Sequence, residues 1–234
     1  MKNFSNTYIY TFSSVMVIVV ALLLALAALQ LKPFQDKNIE IEKKQNILAS
    51  INIVATTENA ESLYEKYITE SFVVNVNGEL IEKDAFSVDV RAELSKSNKL
   101  DRLLPVYVST LEGGKKAYVV PLRGKGLWGP IWGYISFEKD LNTIYGANFD
   151  HQGETPGLGA EIKEAWFQKP FIGKQIFKDS TQFVSVKVNK GGVDPKNLHA
   201  VDAISGGTIT SKGLEAMIDS SLIQYKTYFL MNRK

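Results

Sequence analysis

A long apolar run near the N-terminus limits what this chain can fold into more than any other feature of its sequence. Every residue from Val15 to Leu29 is apolar, and no charged residue occurs from Asn3 to Leu31. A helix needs about 20 apolar residues to cross the hydrocarbon layer of a membrane, and a lone segment satisfies its backbone hydrogen bonds in lipid only as a helix. We therefore expect residues 1–32 to form an N-terminal transmembrane anchor.

The alternative interpretation of this run is a signal peptide that is removed. Residues 25–27, Ala-Leu-Ala, have the small-residue pattern of a cleavage site. The apolar core of a signal peptide is usually only about 7–15 residues long, so the length of the run favours a retained anchor. Lys2 before the run favours a cytoplasmic N-terminus and a soluble domain on the periplasmic side of the inner membrane. Lys32 and Lys37, just after the run, weaken that bias.

The composition narrows the class of the remaining chain. The 234 residues include no cysteine, which excludes disulfides, thiolate metal sites and iron–sulfur clusters. Of the 27 basic side chains, all but Lys2 and Lys32 lie beyond the anchor, where they equal the 25 acidic ones in number. A balanced domain has no long-range attraction for nucleic acid, so none is expected as a partner. About 200 residues suffice for one domain with its own core.

Helical spacing continues after the anchor. Residues 33–55 are predicted to be a helical extension, in which Ile47, Leu48, Ile51 and Val54 recur on one face. An amphipathic helix follows, with Thr57 as its expected N-cap. Its apolar face consists of Ala60, Leu63, Tyr64, Tyr67 and Ile68. The extracytoplasmic domain is expected to comprise residues 56–234.

The hydrophobic period then changes to that of strands. Phe72–Val76 and Leu80–Ile81 flank Asn77-Gly78, a strong hairpin signal because both turn positions need positive φ. Further strands are predicted at residues 104–109, 117–122, 131–137, 143–149 and 183–188. The pattern predicts an α+β fold with an antiparallel sheet and packed helices, in addition to the transmembrane helix.

Helices are predicted on the C-terminal side of these strands. A short helix is expected at residues 161–167, and a strong amphipathic helix closes the chain, with Thr210 or Ser211 as its cap. The apolar stripe of the closing helix consists of Leu214, Met217, Ile218, Ser221, Leu222 and Tyr225.

Two of the candidate binding segments combine glycine with a residue that can face a flat ring. In residues 124–133, the indole of Trp128 lies beside glycines and can stack on an aromatic cofactor. The alternative is a tryptophan of the core. In residues 153–159, Pro156 and three glycines fix an irregular loop, whose backbone can press against a ring. The alternative is an ordinary connecting loop.

The third candidate segment, residues 202–211, immediately precedes the closing helix. Gly206 and Gly207 let the backbone approach a ligand closely, and the free N–H groups at the start of the helix suit a phosphate. Hydroxyl side chains surround that point. The alternative is a turn with helix-capping side chains.

Together, in this order and at this separation, the three segments resemble the FMN-binding domain of the NqrC family, which belongs to the sodium-translocating NADH:quinone oxidoreductase (Nqr). Residues 171–177 and the anchor also fit, so the resemblance covers nearly the whole chain. It implies that a flavin transferase joins FMN through its phosphate to Thr208, which follows Ser205 and Gly206 in the attachment motif. Gly207 stands where this family usually has alanine.

The resemblance also implies ring contacts at Thr155, Gly157, Leu158 and Trp128. It implies a role for Asp202 either in recognition by the transferase or in capping the loop. The expected function is that of an electron-relay protein with covalent FMN, in a complex whose other subunits oxidise NADH, reduce quinone and move sodium. An NADH site on this chain is not expected, because the sequence has no dinucleotide-binding fingerprint.

Two alternative functions remain open from the sequence. The RnfG family of the Rnf electron-transport complex shares the three motifs, although the long segment 33–120 favours Nqr. A membrane-anchored interaction domain that has lost its flavin is the other, and Gly207 is its support. No catalytic residue and no metal site are predicted, since His151 and His199 have no metal-ligand spacing around them.

Overall fold

The computed structural model describes residues 5–233, and the chain divides between Lys43 and Lys44 into two compact units. Helix α1 extends from Asn6 to Ser50 without interruption, with Pro33 inside it. In the first unit, the apolar side chains of α1 from Tyr8 to Leu31 are exposed. The helix is long and apolar enough to cross a membrane, as the sequence predicts, whereas Lys2 lies outside the described residues.

The second unit is built on an antiparallel sheet. Within the described residues, its strands lie in the order β2-β1-β3-β4-β5-β6. The strand bounds are Ile68–Val74 (β1), Leu80–Ile81 (β2), Leu104–Thr110 (β3), Lys116–Lys125 (β4), Pro130–Phe137 (β5) and Ile144–His151 (β6). A separate parallel pair consists of β7 (Lys187–Asn189) and β8 (Ala200–Asp202).

Helices surround the sheet, so the predicted α+β class is confirmed. The helix bounds are Ala60–Tyr67 (α2), Val90–Ser95 (α3), Ala165–Gln168 (α4), Thr208–Leu222 (α5) and Lys226–Asn232 (α6). Short 3-10 turns occur at Lys99–Asp101, Glu112–Gly114, Gly159–Lys163, Lys169–Phe171 and Ile223–Tyr225.

Each face of the sheet has its own apolar cluster, because successive strand side chains point to opposite faces. The larger cluster joins the sheet to α5 and α6, and all the apolar members of the predicted stripe of the closing helix are buried in it. The smaller cluster contains Val73, Tyr107 and Val119 of the sheet together with Ile47 and Leu48 from the last turns of α1. The C-terminal turns of α1 are therefore part of the domain core, whereas Val54 is 91 % exposed.

Three local predictions need correction. Helix α2 begins at Ala60 after Asn59, not after Thr57, because the Asn59 side chain accepts from the Thr56 N–H (2.7 Å) and holds the preceding turn. The β1–β2 connection is a five-residue loop in which Gly78 has positive φ and Asn77 does not. The predicted strand 183–188 is only partly formed, since Phe183 makes a single bridge and β7 begins at Lys187.

Candidate functional site

The three glycine-containing segments lie around one cleft in the second unit. The cleft has a volume of about 400 Å³ and is lined by residues of the β4–β5 turn, the loop after β6 and the start of α5. The predicted site residues that line it are Trp128, Thr155, Leu158, Gly206, Gly207 and Thr208. The cleft is also lined by residues that lie within the three candidate segments but were not predicted as ligand contacts, namely Leu127, Glu154, Gly159, Ile209 and Thr210. Segments far apart in the chain thus converge on a single surface depression.

The turn between β4 and β5 holds Trp128 out of the core. The Gly126 N–H donates to the Gly129 carbonyl (2.8 Å), which closes the turn. The side chain of Trp128 is 69 % exposed beside the cleft, so the alternative of a core tryptophan is wrong. An exposed indole at the wall of an apolar cleft is available to a planar ligand.

The loop after β6 supplies the second wall of the cleft. The Thr155 carbonyl accepts from the N–H groups of Leu158 (3.1 Å) and Ala160 (3.1 Å), and Gly157 has a φ of 74°. Glu161 accepts from the Gly157 N–H (3.2 Å) and thereby holds the loop. Leu158 is 42 % exposed and faces the cleft, whereas Gly157 is exposed and is not among the lining residues.

The start of α5 supplies the third wall. Thr208 is the first residue of the helix, its side chain is exposed, and it lines the cleft. Gly206 has a φ of 75°, and a Cβ there would lie 2.7 Å from Leu158 Cδ2. Ser205 is exposed but is not among the lining residues. The N–H groups of the first helical turn and the helix dipole favour a negative group at this end.

The hydroxyls predicted to cap α5 have other roles. The helix begins three residues earlier than a cap at Thr210 would allow, with Gly207 as N-cap and its carbonyl accepting from the Ser211 N–H (2.9 Å). Ser211 is buried, and its Oγ accepts from the Ile204 N–H (3.1 Å). Thr210 is buried and its Oγ1 donates to Glu154 (2.5 Å). Both hydroxyls face inward, where buried polar groups require partners.

Asp202 caps a neighbouring loop. Its Oδ1 accepts from the Val193 N–H (2.9 Å), and its side chain is exposed at the end of β8. This contact is to the connection between β7 and β8 and not to the attachment loop, so both roles expected for Asp202 stay predictions.

Glu154 joins all three segments. The residue is 4 % exposed, and its carboxylate accepts from the Trp128 N–H (2.8 Å) in the turn and from Thr210 Oγ1 in α5. Its own N–H donates to His151 Nδ1 (3.1 Å). An acidic residue within a stretch of glycine and proline is the signal from which it could have been singled out.

The comparisons with known proteins agree with this arrangement. The FMN-binding domain family matches residues 126–222, which contain the glycine turn, the loop after β6 and the start of α5. The NqrC protein of the Na(+)-translocating NADH-quinone reductase of Haemophilus ducreyi is 35 % identical over 213 residues, covering 85 % of this chain and 82 % of that protein. The chain belongs to the NqrC family.

Solved structures of the NqrC family have the same fold. That of Parabacteroides distasonis is 47 % identical with a TM-score of 0.78, over 85 % of this chain and 96 % of that one. NqrC of Shewanella oneidensis is 27 % identical with a TM-score of 0.70, over 82 % of this chain and 96 % of that one. Membership of the NqrC family decides against the alternative assignment to the RnfG family.

The glycine at position 207, where the resemblance leads us to expect alanine, has a steric explanation. Gly207 is buried, and a Cβ there would lie 2.9 Å from Ile204 Cγ2 and 3.3 Å from the carbonyl carbon of Leu158. Its φ of −101° is open to any residue, so the glycine is needed for space rather than for backbone conformation. Gly207 therefore leaves room for the side chain of Ile204 in this chain.

Both histidines make hydrogen bonds in the structure. His151 Nδ1 accepts from the Glu154 N–H, and His199 Nδ1 lies 2.7 Å from the Gln175 carbonyl oxygen. Within residues 5–233, there is no group of His, Asp and Glu side chains that could hold a metal ion.

Proposed function

We propose that this chain is the electron-relay protein of a membrane NADH:quinone oxidoreductase that couples electron transfer to sodium translocation, and that it carries FMN esterified to Thr208. The observation that carries the proposal is the position of Thr208, an exposed residue that begins α5 and lines the cleft. The NqrC family and the matching FMN-binding domain family support it.

The residues around the cleft fit this cofactor. The helix start suits one negatively charged phosphodiester, and the apolar side chains of Trp128 and Leu158 suit a flavin ring. Glycine at position 206 lets Leu158 pack against the attachment loop, because a Cβ there would clash with the Leu158 side chain. When bound, FMN supplies the redox chemistry, and the protein supplies binding, orientation and the local electrostatic field.

Attachment requires a transferase and an activated flavin nucleotide as donor. The Thr208 oxygen forms a bond to phosphorus and loses its proton, while the bond from phosphorus to the leaving group of the donor breaks. Because Thr208 is exposed and Gly206 and Gly207 add little bulk, the hydroxyl is accessible to such an enzyme.

The remaining parts of the proposal concern the membrane and the complex. Helix α1 would be a single-pass anchor in the inner membrane, with the domain on the periplasmic side and beside the other subunits of the complex. Electrons would arrive from an upstream centre of the complex and leave to the next flavin. Thr155, Gly157, Leu158 and Trp128 would contact the ring.

Intact mass and in-gel fluorescence test the attachment. Full-length chain coexpressed with a flavin transferase should have the mass of one added FMN and a fluorescent band under denaturing conditions. Thr208→Ala should lack both, whereas Thr155→Ala, which removes a threonine from the same cleft, should keep both. A fluorescent band in Thr208→Ala would overturn the assignment of the attachment residue. The same mass shows whether the N-terminal anchor is retained.

An anchored interaction domain without flavin is the alternative from another class. Its support is Gly207, which the contact distance to Ile204 explains by packing instead. A colourless native chain of unmodified mass, despite coexpression with the transferase, would favour this alternative over the flavoprotein.

A further inference from the structure

Glu154 has an environment built around its carboxylate. The residue is 4 % exposed at the base of the cleft, and its two oxygens accept from the Trp128 N–H and from Thr210 Oγ1. A Cβ on Gly126 would lie 2.5 Å from Glu154 Oε1, and a Cβ on Gly159 would lie 2.5 Å from Oε2. Glycine at these two positions therefore makes the room that the carboxylate occupies.

The stability of the fold does not explain why a carboxylate occupies this buried position. Burying a carboxylate is unfavourable unless it is paired and hydrogen-bonded. Within residues 5–233, no lysine or arginine forms an ion pair with it, so neutral donors alone compensate the charge. A glutamine has the same shape without the desolvation of a full charge. The retained acid thus points to a role toward a ligand in the cleft.

We propose that Glu154 is a positioning residue for the flavin, which holds the Trp128 turn against the start of α5 and places a fixed negative charge at the base of the cofactor cleft. This inference rests on the proposed function of the cleft. The hydrogen bonds connect the segment that would contact the ring to the helix that would carry the phosphate. The distance between ring wall and attachment point is then fixed by one side chain.

The charge has a consequence that a purely structural role would not have. Reduction adds electrons to the flavin, and a nearby negative charge on a side chain that is itself buried, as Glu154 is, opposes that addition by Coulomb repulsion. Glu154 therefore lowers the reduction potential of the flavin. Its two hydrogen-bond donors partly offset the charge, so removing one donor strengthens the repulsion and removing the charge abolishes it.

Spectroelectrochemical titration of the full-length, flavin-loaded chain in detergent tests this inference. Glu154→Gln should shift the reduction potential upward, so that most of its flavin is reduced at the ambient potential where the native flavin is half reduced. Glu215→Gln is the matched control: this carboxylate lies on α5, accepts from the Val188 N–H and Lys212, and does not line the cleft. Its potential should equal that of the native chain.

Thr210→Val provides a second measurement with the opposite sign. The variant removes the hydroxyl donor and keeps the charge, so the reduction potential of its flavin should fall below the native value. If Glu154→Gln does not fold, this variant alone tests the inference. An unchanged potential in Glu154→Gln, an equal shift in Glu215→Gln or an upward shift in Thr210→Val would overturn the inference. A native chain without covalent flavin would instead overturn the proposed function.

Discussion

Adding a methyl group at position 207 tests whether packing explains the glycine there. The Cβ of an alanine would approach Ile204 Cγ2 to 2.9 Å and Ile204 Cβ to 3.1 Å, where ordinary contacts begin at 3.4 Å. Ile204 is 4 % exposed and lies in the larger apolar cluster, so its methyl group has little room to retreat. Gly207→Ala therefore overpacks the base of the attachment loop.

The magnitude follows from two opposing effects. Overpacking a core typically destabilises by about 1–3 kcal/mol. Replacing glycine by alanine at a compatible φ stabilises by about 0.4–1 kcal/mol through the unfolded chain, and the φ of Gly207 is compatible at −101°. The net loss of unfolding free energy in Gly207→Ala should be about 1–2 kcal/mol.

Ile204→Leu is the compensating change, because leucine keeps the volume but has no methyl group at the Cγ2 position. A double-mutant cycle by urea unfolding of the full chain in detergent, followed by tryptophan fluorescence, measures the coupling. The double variant should be more stable than the sum of the single losses by about 1 kcal/mol. A Gly207→Ala variant as stable as the native chain, or strictly additive losses, would refute the steric explanation.

Two further predictions concern connections between neighbouring strands of the sheet. Burial raises the pKa of Asp140, but hydrogen bonds from Thr143 and Asn142 outweigh this effect and hold that pKa below its usual value. The ionised Asp140 therefore contributes to the free energy of unfolding near neutral pH. That contribution is lost as the pH falls through the folded-state pKa. Asp140→Asn should lose about 1 kcal/mol at pH 7, and urea unfolding should show the difference from the native chain vanishing in acid. Gly113 has a positive φ and open space around it, so Gly113→Ala should lower the free energy of unfolding by about 1–2 kcal/mol. Gly78→Ala should lower it more, because a Cβ there would also lie 3.2 Å from the Tyr228 backbone. Equal losses of the two variants in thermal unfolding would contradict this reasoning.

Much of the fold could be predicted from local pattern. The four strands β3 to β6 and the closing helix have strongly periodic apolar residues, and the structure places them within a few residues of the expected bounds. Periodicity succeeds where one face of an element is buried, because burial then repeats with the period of that element. The weak strand 183–188 lacks such regularity, and its pairing is only partly formed.

The site could be predicted as three segments but not as a network. The glycine-containing segments and the resemblance together indicate Trp128, Leu158 and Thr208 from the sequence. The structure brings these three residues to one cleft. The partners of Thr210 and Ser211 could not be read from the chain, since helix-capping hydroxyls and buried hydroxyls have the same local sequence.

By itself, the sequence determined the apolar N-terminal helix, the strand-rich domain and the three segments that carry the family motifs, because each of these is encoded in neighbouring residues. Only the tertiary structure decided that the end of α1 belongs to the domain core, that Gly207 is matched to Ile204, and that Glu154 joins the three segments. These depend on contacts between residues distant in the chain, and such contacts leave no periodic trace in a single sequence.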